Sequence, residues 1–333
     1  MLMKILTYKH TKYIAFGLIM ALMPTMVSMG FMRNQTLITL GSVLFYALVA
    51  IGLSVLLGYS GLVSLGTAGF MGLGAYMSAY LTGVQGWPFL LSMAVSTIVP
   101  VFLGVLVGLV SLRVSGMYLA IATLAVAEIF ISMFEQFTDI TGGFSGMRAA
   151  FPSFFGTTLN RGQTFIFLVI VLVIVMILTE NFVRSSTGRA LLTMRASEPA
   201  ASAMGINLLK YKLLAFALAT AYASLGGVLY VHFIQFAFPS DWNLLLALQI
   251  LAVVVIGGIK SIMGTVIGSF VVFGMPSLVL SRLPIIGDIN GLPFIFTGVL
   301  IIVVVLFYPH GLTHIGHDVM KLIRRTSKAK KEA

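Results

Sequence analysis

Residues 184–205 read RSSTGRALLTMRASEPAASAMG and separate two long apolar runs, residues 163–182 and 211–235. Each run meets the requirement of roughly 20 apolar residues for one crossing of a bilayer. The segment between them is polar and basic, and basic loops stay on the cytoplasmic side of a membrane. The loop 183–212 is therefore predicted to be a cytoplasmic connection between two membrane-spanning helices.

The composition of the whole chain agrees with this interpretation. Hydrophobic residues make up 59% of the 333 residues and charged residues only 9%, whereas a soluble domain has about a quarter charged residues. The absence of cysteine excludes a disulfide framework, a thiolate metal site and a cysteine nucleophile.

The hydropathy pattern predicts an all-α membrane protein with about ten transmembrane helices, forming a single domain over residues 1–333. The Gly-rich third segment is expected to be either a full span or a broken helix buried in protein. The predicted spans are residues 13–32, 36–57, 61–82, 88–111, 116–137, 163–182, 211–235, 243–259, 262–281 and 291–308.

The distribution of positive charge predicts the orientation of these spans. With the N-terminus in the cytoplasm and ten crossings, sixteen Lys and Arg residues fall inside and four outside, namely Arg33, Arg148, Arg161 and Arg282. Both termini are therefore predicted to be cytoplasmic, with the basic tail 313–333 next to anionic lipid headgroups. The net charge of +11 is interpreted as a topology signal, so no nucleic-acid partner is expected.

The second half of the segment 184–205 predicts a short helix. Ser197 suits the N-cap, Glu198 and Pro199 suit the first turn, and Gly205 suits the C-terminal end. Such a helix at the cytoplasmic face is suited to docking in a groove of a partner protein. The alternative is an ordinary connecting loop on a basic surface.

The chain shows no ATP-binding motif. Residues 257–261 (GGIKS) end like a phosphate loop but have Ile259 in place of the glycine before the lysine. We expect a tight turn between the eighth and ninth spans. If ATP drives transport, the ATPase must be another chain.

Several segments resemble a known family in their order and spacing. The segments are residues 58–66 (GYSGLVSLG), 72–76 (GLGAY), 112–113, 116–124 with Glu128, 141–143, 188–205, 255–258 with Gly264, and 307–312 (FYPHGL). Together they resemble the permease subunits of branched-chain amino acid ABC transporters of the LivM type. Thr67 stands where that family often has His or Gln, which leaves room for another cargo.

The resemblance implies an ABC importer permease fold with a cytoplasmic coupling helix, in the bacterial inner membrane. It implies a second homologous permease subunit, two cytoplasmic ATP-binding subunits and a periplasmic substrate-binding protein that delivers leucine, isoleucine or valine. ATP would be bound by the partner subunits, so no cofactor is expected in this chain. The residues implied for ATPase coupling are Gly188, Arg189, Arg195, Glu198, Ala200, Ala201 and Gly205.

A polar route for the cargo is expected along the Gly-rich third span and the fifth span. The candidate residues are Ser64, Gly66, Thr67, Gly72 and Glu128. An ionisable group at the bilayer centre costs about 2.5–3.5 kcal/mol on insertion scales, so Glu128 should face protein or water. It is either a pathway or gating residue or a structural group bonded to a neighbouring helix.

No catalytic residues and no metal site are predicted. His310, His314 and His317 have helical spacing, but Pro309 and Gly311 interrupt the helix there. His232 is expected to contact a neighbouring helix or to lie at the membrane interface. Two alternative functions remain open: an ABC permease for urea, short amides or another small polar solute, and an ion-coupled secondary transporter.

Overall fold

The computed structural model describes residues 2–111, 116–154 and 156–278, together with isolated positions between 295 and 306. Arg113, Arg282, the histidines at 310, 314 and 317, most of the predicted tenth span and the tail 313–333 lie outside the described residues.

The described part of the chain is almost entirely helical, as predicted. Two short antiparallel ladders lie outside the helices: β1 (Met147–Arg148) pairs with the distant β4 (Phe236–Ala237), and β2 (Ser153–Phe154) pairs with β3 (Thr157–Thr158). A π-helical turn, Phe270–Gly274, joins the last two helices. The helices are α1 (Leu2–Ala21), α2 (Met23–Ser28), α3 (Asn34–Ser60), α4 (Thr67–Gly83), α5 (Phe89–Ser111), α6 (Met117–Gln136), α7 (Thr138–Thr141), α8 (Arg161–Arg184), α9 (Ser186–Ala196), α10 (Glu198–Ala203), α11 (Leu208–Ile234), α12 (Leu244–Gly257), α13 (Ile262–Ser269) and α14 (Met275–Leu278).

Within the described residues, six helical stretches are long and apolar enough to cross a membrane: 10–28, 34–60, 89–110, 117–136, 161–184 and 208–234. Residues 244–257 and 262–278 form shorter apolar helices. The chain is therefore a multi-pass helical membrane protein.

Two predicted spans are interrupted in the structure. The first segment divides between α1 and α2, with Pro24 in the first turn of α2, where proline has no N–H to continue the preceding helix. In the third segment, residues 61–66 are not helical and α4 begins only at Thr67. The segment 61–82 is thus a broken element, which was one of the two predicted forms.

The core of the molecule is built around α3 and α11. Helix α11 packs against α3, α4 and α5. A Cβ at Gly227 would overlap the carbonyl oxygen of Met71, and one at Gly74 would overlap that of Ser224. These glycines let the backbones of α4 and α11 approach closely, as small residues do in membrane helix pairs.

Candidate functional site

Helix α9 folds back directly after α8. Ser185, between the two helices, has an extended backbone with φ −70° and ψ 176°. A Cβ at Gly188 would overlap the carbonyl oxygen of Val183, so the first turn of α9 rests on the backbone at the end of α8. Leu191 and Met194 turn the apolar side of α9 toward the core and are buried.

Arg195 connects α9 to the end of α3. Its Nη1 donates a hydrogen bond to the carbonyl oxygen of Gly58, and its Cγ would lie 3.2 Å from a Cβ at Gly61. A guanidinium group is favourable here because the C-terminal end of a helix carries partial negative charge.

The turn between α12 and α13 packs against the same end of α3. A Cβ at Gly58 would overlap the carbonyl oxygen of Ile259, and the Tyr59 hydroxyl donates to the carbonyl oxygen of Lys260 over 3.4 Å. The turn itself is closed by a hydrogen bond from the N–H of Ser261 to the oxygen of Gly258. The predicted tight turn at residues 257–261 is confirmed.

Helix α10 has the caps that its sequence predicts. The N–H of Ala200 donates to Ser197 Oγ over 3.3 Å, and Pro199 lies in the first turn. At the other end Gly205 has φ +77°, and the N–H groups of Gly205 and Ile206 donate to the oxygens of Ser202 and Ala201. This pair of hydrogen bonds is a Schellman motif, in which a glycine takes the left-handed position.

Side-chain contacts hold α10 against α11. Glu198 Oε1 lies 2.7 Å from the Nζ of Lys212, at the start of α11, and Ala201 is fully buried. On the opposite side of α10 the residues Pro199, Ala200, Ala203 and Met204 are exposed. The result is a small, mostly apolar surface on a helix that is fixed at both ends.

Arg189 and Glu180 belong to a chain of contacts at the junction of α8 and α9. Arg189 is exposed and its Nη1 donates to the carbonyl oxygen of Arg184 over 3.2 Å. Arg184 Nε donates to Glu180 Oε1 over 2.6 Å, and the Tyr13 hydroxyl donates to Glu180 Oε2 over 3.1 Å. Helix α1 is thereby tied to the end of α8 where α9 begins.

Glu180 was not among the predicted site residues. It is buried inside the α1–α8 contact. One signal in the sequence pointed to it: an acidic residue within an apolar run, with Arg184 one helical turn later.

The candidate path residues of the third segment lie in the interior. Ser64 and Thr67 are buried and line a cavity with Phe216 and Thr220 of α11. That cavity has room for about one water molecule, so it is too small for an amino acid. The N–H of Leu65 donates to Thr123 Oγ1 over 3.0 Å, and a Cβ at Gly66 would lie 2.9 Å from the oxygen of Thr123.

Gly72 lies beneath aromatic rings. A Cβ there would come within 2.7 Å of both Phe134 Cε2 and Trp242 Cγ. Gly72 thus contacts α6 and the turn before α12, on the side of α4 that packs against α6.

Glu128 lies apart from those four residues. The side of α6 that packs on α4 carries Thr123, Ala127, Phe130 and Phe134, all buried. Glu128 is exposed on another side of the helix, and no hydrogen bond or ion pair joins it to another residue in the described part of the chain.

The segment 138–162, between the predicted fifth and sixth spans, folds over the ends of α4, α6 and α11. Its Thr141-Gly142-Gly143 turn is present, with φ values of +73° and +57° at the two glycines. His232, at the end of α11, is buried; its Nδ1 donates to the carbonyl oxygen of Ala150 over 2.7 Å, and its Nε2 lies 2.9 Å from Ser78 Oγ. The expected contact of His232 with a neighbouring helix is confirmed.

Comparison with curated proteins finds relatives that cover most of the chain. One relative is the high-affinity branched-chain amino acid transport system permease protein LivM of Escherichia coli K12. The two sequences are 29% identical over 348 aligned positions, and the alignment covers 97% of this chain and 79% of that protein. The chain is also 25% identical to the probable branched-chain amino acid transport permease protein LivH of Methanocaldococcus jannaschii, over 63% of this chain and 68% of that protein. A search of solved structures finds no match.

A family profile also matches most of the chain. The profile described as "Branched-chain amino acid transport system / permease component" matches residues 35–306, from the first turn of α3 across both candidate regions. The chain belongs to the family of branched-chain amino acid transport system permease components.

Proposed function

We propose that this protein is a membrane-spanning subunit of an ATP-driven importer of branched-chain amino acids. The observation that carries the proposal is the family match over residues 35–306, which includes both the broken third segment and the α9–α10 region. The similarity to a LivM protein over nearly the whole chain favours leucine, isoleucine and valine as the cargo.

The proposal includes the arrangement of the chain in the membrane. The protein acts as one transmembrane domain of about ten spans in the bacterial inner membrane, with both termini in the cytoplasm. The excess of Lys and Arg in the predicted inner segments supports this orientation. The similarity to both a LivM and a LivH protein supports pairing with a second, homologous permease.

The exposed side of α10 is the proposed contact with one of two cytoplasmic ATP-binding subunits. It presents Ala200 and Met204 on a helix that the Glu198–Lys212 ion pair and the Gly205 turn hold in place. Gly188 and Arg195 fix α9 to the membrane core, so a force on α10 is passed to α3 and α8. Arg189 lies at the exposed edge of the same unit.

The outer loop, residues 138–162, is the proposed contact for a periplasmic substrate-binding protein. Phe144 is 75% exposed there and Phe238 beside it is 43% exposed. Large apolar side chains exposed next to polar loop residues are typical of a protein interaction surface.

A substitution on the exposed side of α10 tests the coupling assignment. Ala200→Arg places a long cation on the proposed contact without disturbing a buried residue. We expect the variant to insert and to assemble with its partner permease, but to lose most ATP-driven uptake of leucine in proteoliposomes. Lys210→Ala, an exposed substitution in the same loop, is the control. Uptake by Ala200→Arg at the level of this control would remove α10 from the coupling role.

A further inference from the structure

The exposed side of α6 changes character along the helix. In its second half, Glu128, Ser132 and Gln136 follow one another at spacings of four residues and are all exposed. This stripe points away from the buried side that packs on α4. Ile129 and Met133 are exposed along its edge.

The neighbouring helix α5 has an exposed stripe of a different composition. Its exposed stripe consists of Ile98, Phe102, Leu106 and Leu109. None of these side chains carries a polar atom, as expected for a surface in contact with acyl chains. The polar stripe of α6 therefore has a different environment.

The position of Glu128 along α6 indicates what surrounds the polar stripe. Glu128 is the twelfth of the 20 residues of α6, so at 1.5 Å per residue it lies near the middle of the span. An ionisable side chain at that depth requires water or a polar partner. The interior of this chain does not supply one among the described residues, because Glu128 is exposed and Ala127 beside it faces α4.

The first half of α6 helps to decide whether water or another protein surrounds Glu128. The exposed residues of this half, Met117, Tyr118 and Ile121, are large and mostly apolar. In the proposed orientation this half lies toward the cytoplasm, and the polar half lies toward the outside. A polar stripe that begins at the outer end and stops at mid-depth has the form expected of a water-filled cleft that is closed below.

We propose that the outer half of α6 lines a water-filled vestibule with Glu128 at its floor, where the carboxylate binds the ammonium group of the amino acid. The second permease supplies the opposite wall. A carboxylate and an ammonium group form a charge-assisted hydrogen bond, which is stronger than a hydrogen bond between neutral groups. The inference deepens the proposed function and rests on it for the identity of the cargo.

Cysteine substitution tests the vestibule, because the chain has no cysteine of its own. Ser132→Cys and Gln136→Cys are made in the complete transporter and treated, in right-side-out vesicles, with membrane-impermeant cationic and anionic methanethiosulfonates. Phe102→Cys is the control on the lipid-facing side of α5. We expect both α6 cysteines to react and the control to stay unmodified.

The charge of Glu128 gives a second, more specific measurement. Relative to their rates with a free thiol, the cationic reagent should modify S132C on the order of tenfold faster than the anionic reagent. The preference should disappear when E128Q is added. Unreactive α6 cysteines would mean a dry protein contact and overturn the proposal.

Uptake tests the role of the carboxylate. Glu128→Gln should lower leucine uptake by about tenfold, whereas Glu128→Asp, which keeps the charge, should retain most of it. Normal uptake by Glu128→Gln would overturn the ammonium site. The labelling does not depend on the cargo, so a labelled vestibule in a complex that does not import leucine would refute the proposed function and leave the vestibule in place.

Discussion

At the scale of single residues, Arg195 joins the α9–α10 segment to the helix bundle. Its guanidinium group donates to a backbone carbonyl at the end of α3, 137 residues earlier in the chain. Hydrogen bonds to charged groups contribute about 1.5–3 kcal/mol. Arg189, on the same helix, is exposed and bonds only to the local carbonyl of Arg184 among the described residues.

The Arg195→Ala substitution should therefore destabilise the protein more than Arg189→Ala. We expect a loss of about 1.5–3 kcal/mol for Arg195→Ala and less than about 1 kcal/mol for Arg189→Ala. Thermal unfolding of the detergent-purified protein, followed by circular dichroism, measures the difference. Equal midpoints for the two variants would show that the contact with Gly58 does not hold α9 in place.

The residues that could be predicted from the sequence are those whose role depends on near neighbours. The Ser197 cap and the Gly205 turn follow from a few consecutive side chains, and both are present. The Tyr13–Glu180 hydrogen bond joins residues 167 positions apart. No local pattern specifies such a partner, so the contact between α1 and α8 could not be predicted.

At the scale of helices, the close contact of α4 and α11 depends on side chains being absent. Gly227 lies against the backbone of α4 at Met71. A methyl group has no space there unless the two helices separate, and overpacking of this kind costs about 1–3 kcal/mol. Gly83, at the end of α4, has only one atom within 4 Å of its position for a Cβ, the oxygen of Arg148 at 3.7 Å.

Gly227→Ala should consequently reduce the amount of folded protein in the membrane, while Gly83→Ala should not. The fraction of monodisperse protein after detergent extraction, measured by fluorescence-detected size exclusion, checks this. If both variants elute like the unmodified protein, α4 and α11 are packed less tightly than the structure indicates.

Helix type and approximate position could be predicted because hydropathy averages over many residues. The breaks could not be placed in the same way. Pro24 interrupts the first segment and residues 61–66 are not helical, yet both regions are as apolar as their neighbours. Which way the path candidates face could not be predicted either, because packing decides which side of a helix is buried. Gly72 lies against aromatic rings, and Glu128 is exposed on the surface of the chain.

At the scale of the whole molecule, the proposed orientation places the α9–α10 region and the outer loop on opposite sides of the membrane. Ser202 of α10 and Thr158 of β3 are both exposed. Single cysteines at these positions in the cysteine-free chain report on the side directly. In intact cells a membrane-impermeant maleimide should label Thr158→Cys and not Ser202→Cys, and lysis should make both reactive.

Labelling of Ser202→Cys from outside would contradict the orientation and with it the docking of a cytoplasmic ATPase. The result does not depend on transport, so it separates an error of topology from an error about cargo.

Helix α3 is enclosed by other helices along most of its length, and its C-terminal end is held by Arg195 on one side and by the 258–261 turn on the other. A small shift of α9 therefore cannot be absorbed by local rearrangement at the end of α3. It must either break the hydrogen bond from Arg195 to Gly58 or displace α3 as a rigid body. A displacement applied at α9 would in this way move the helix at the centre of the bundle.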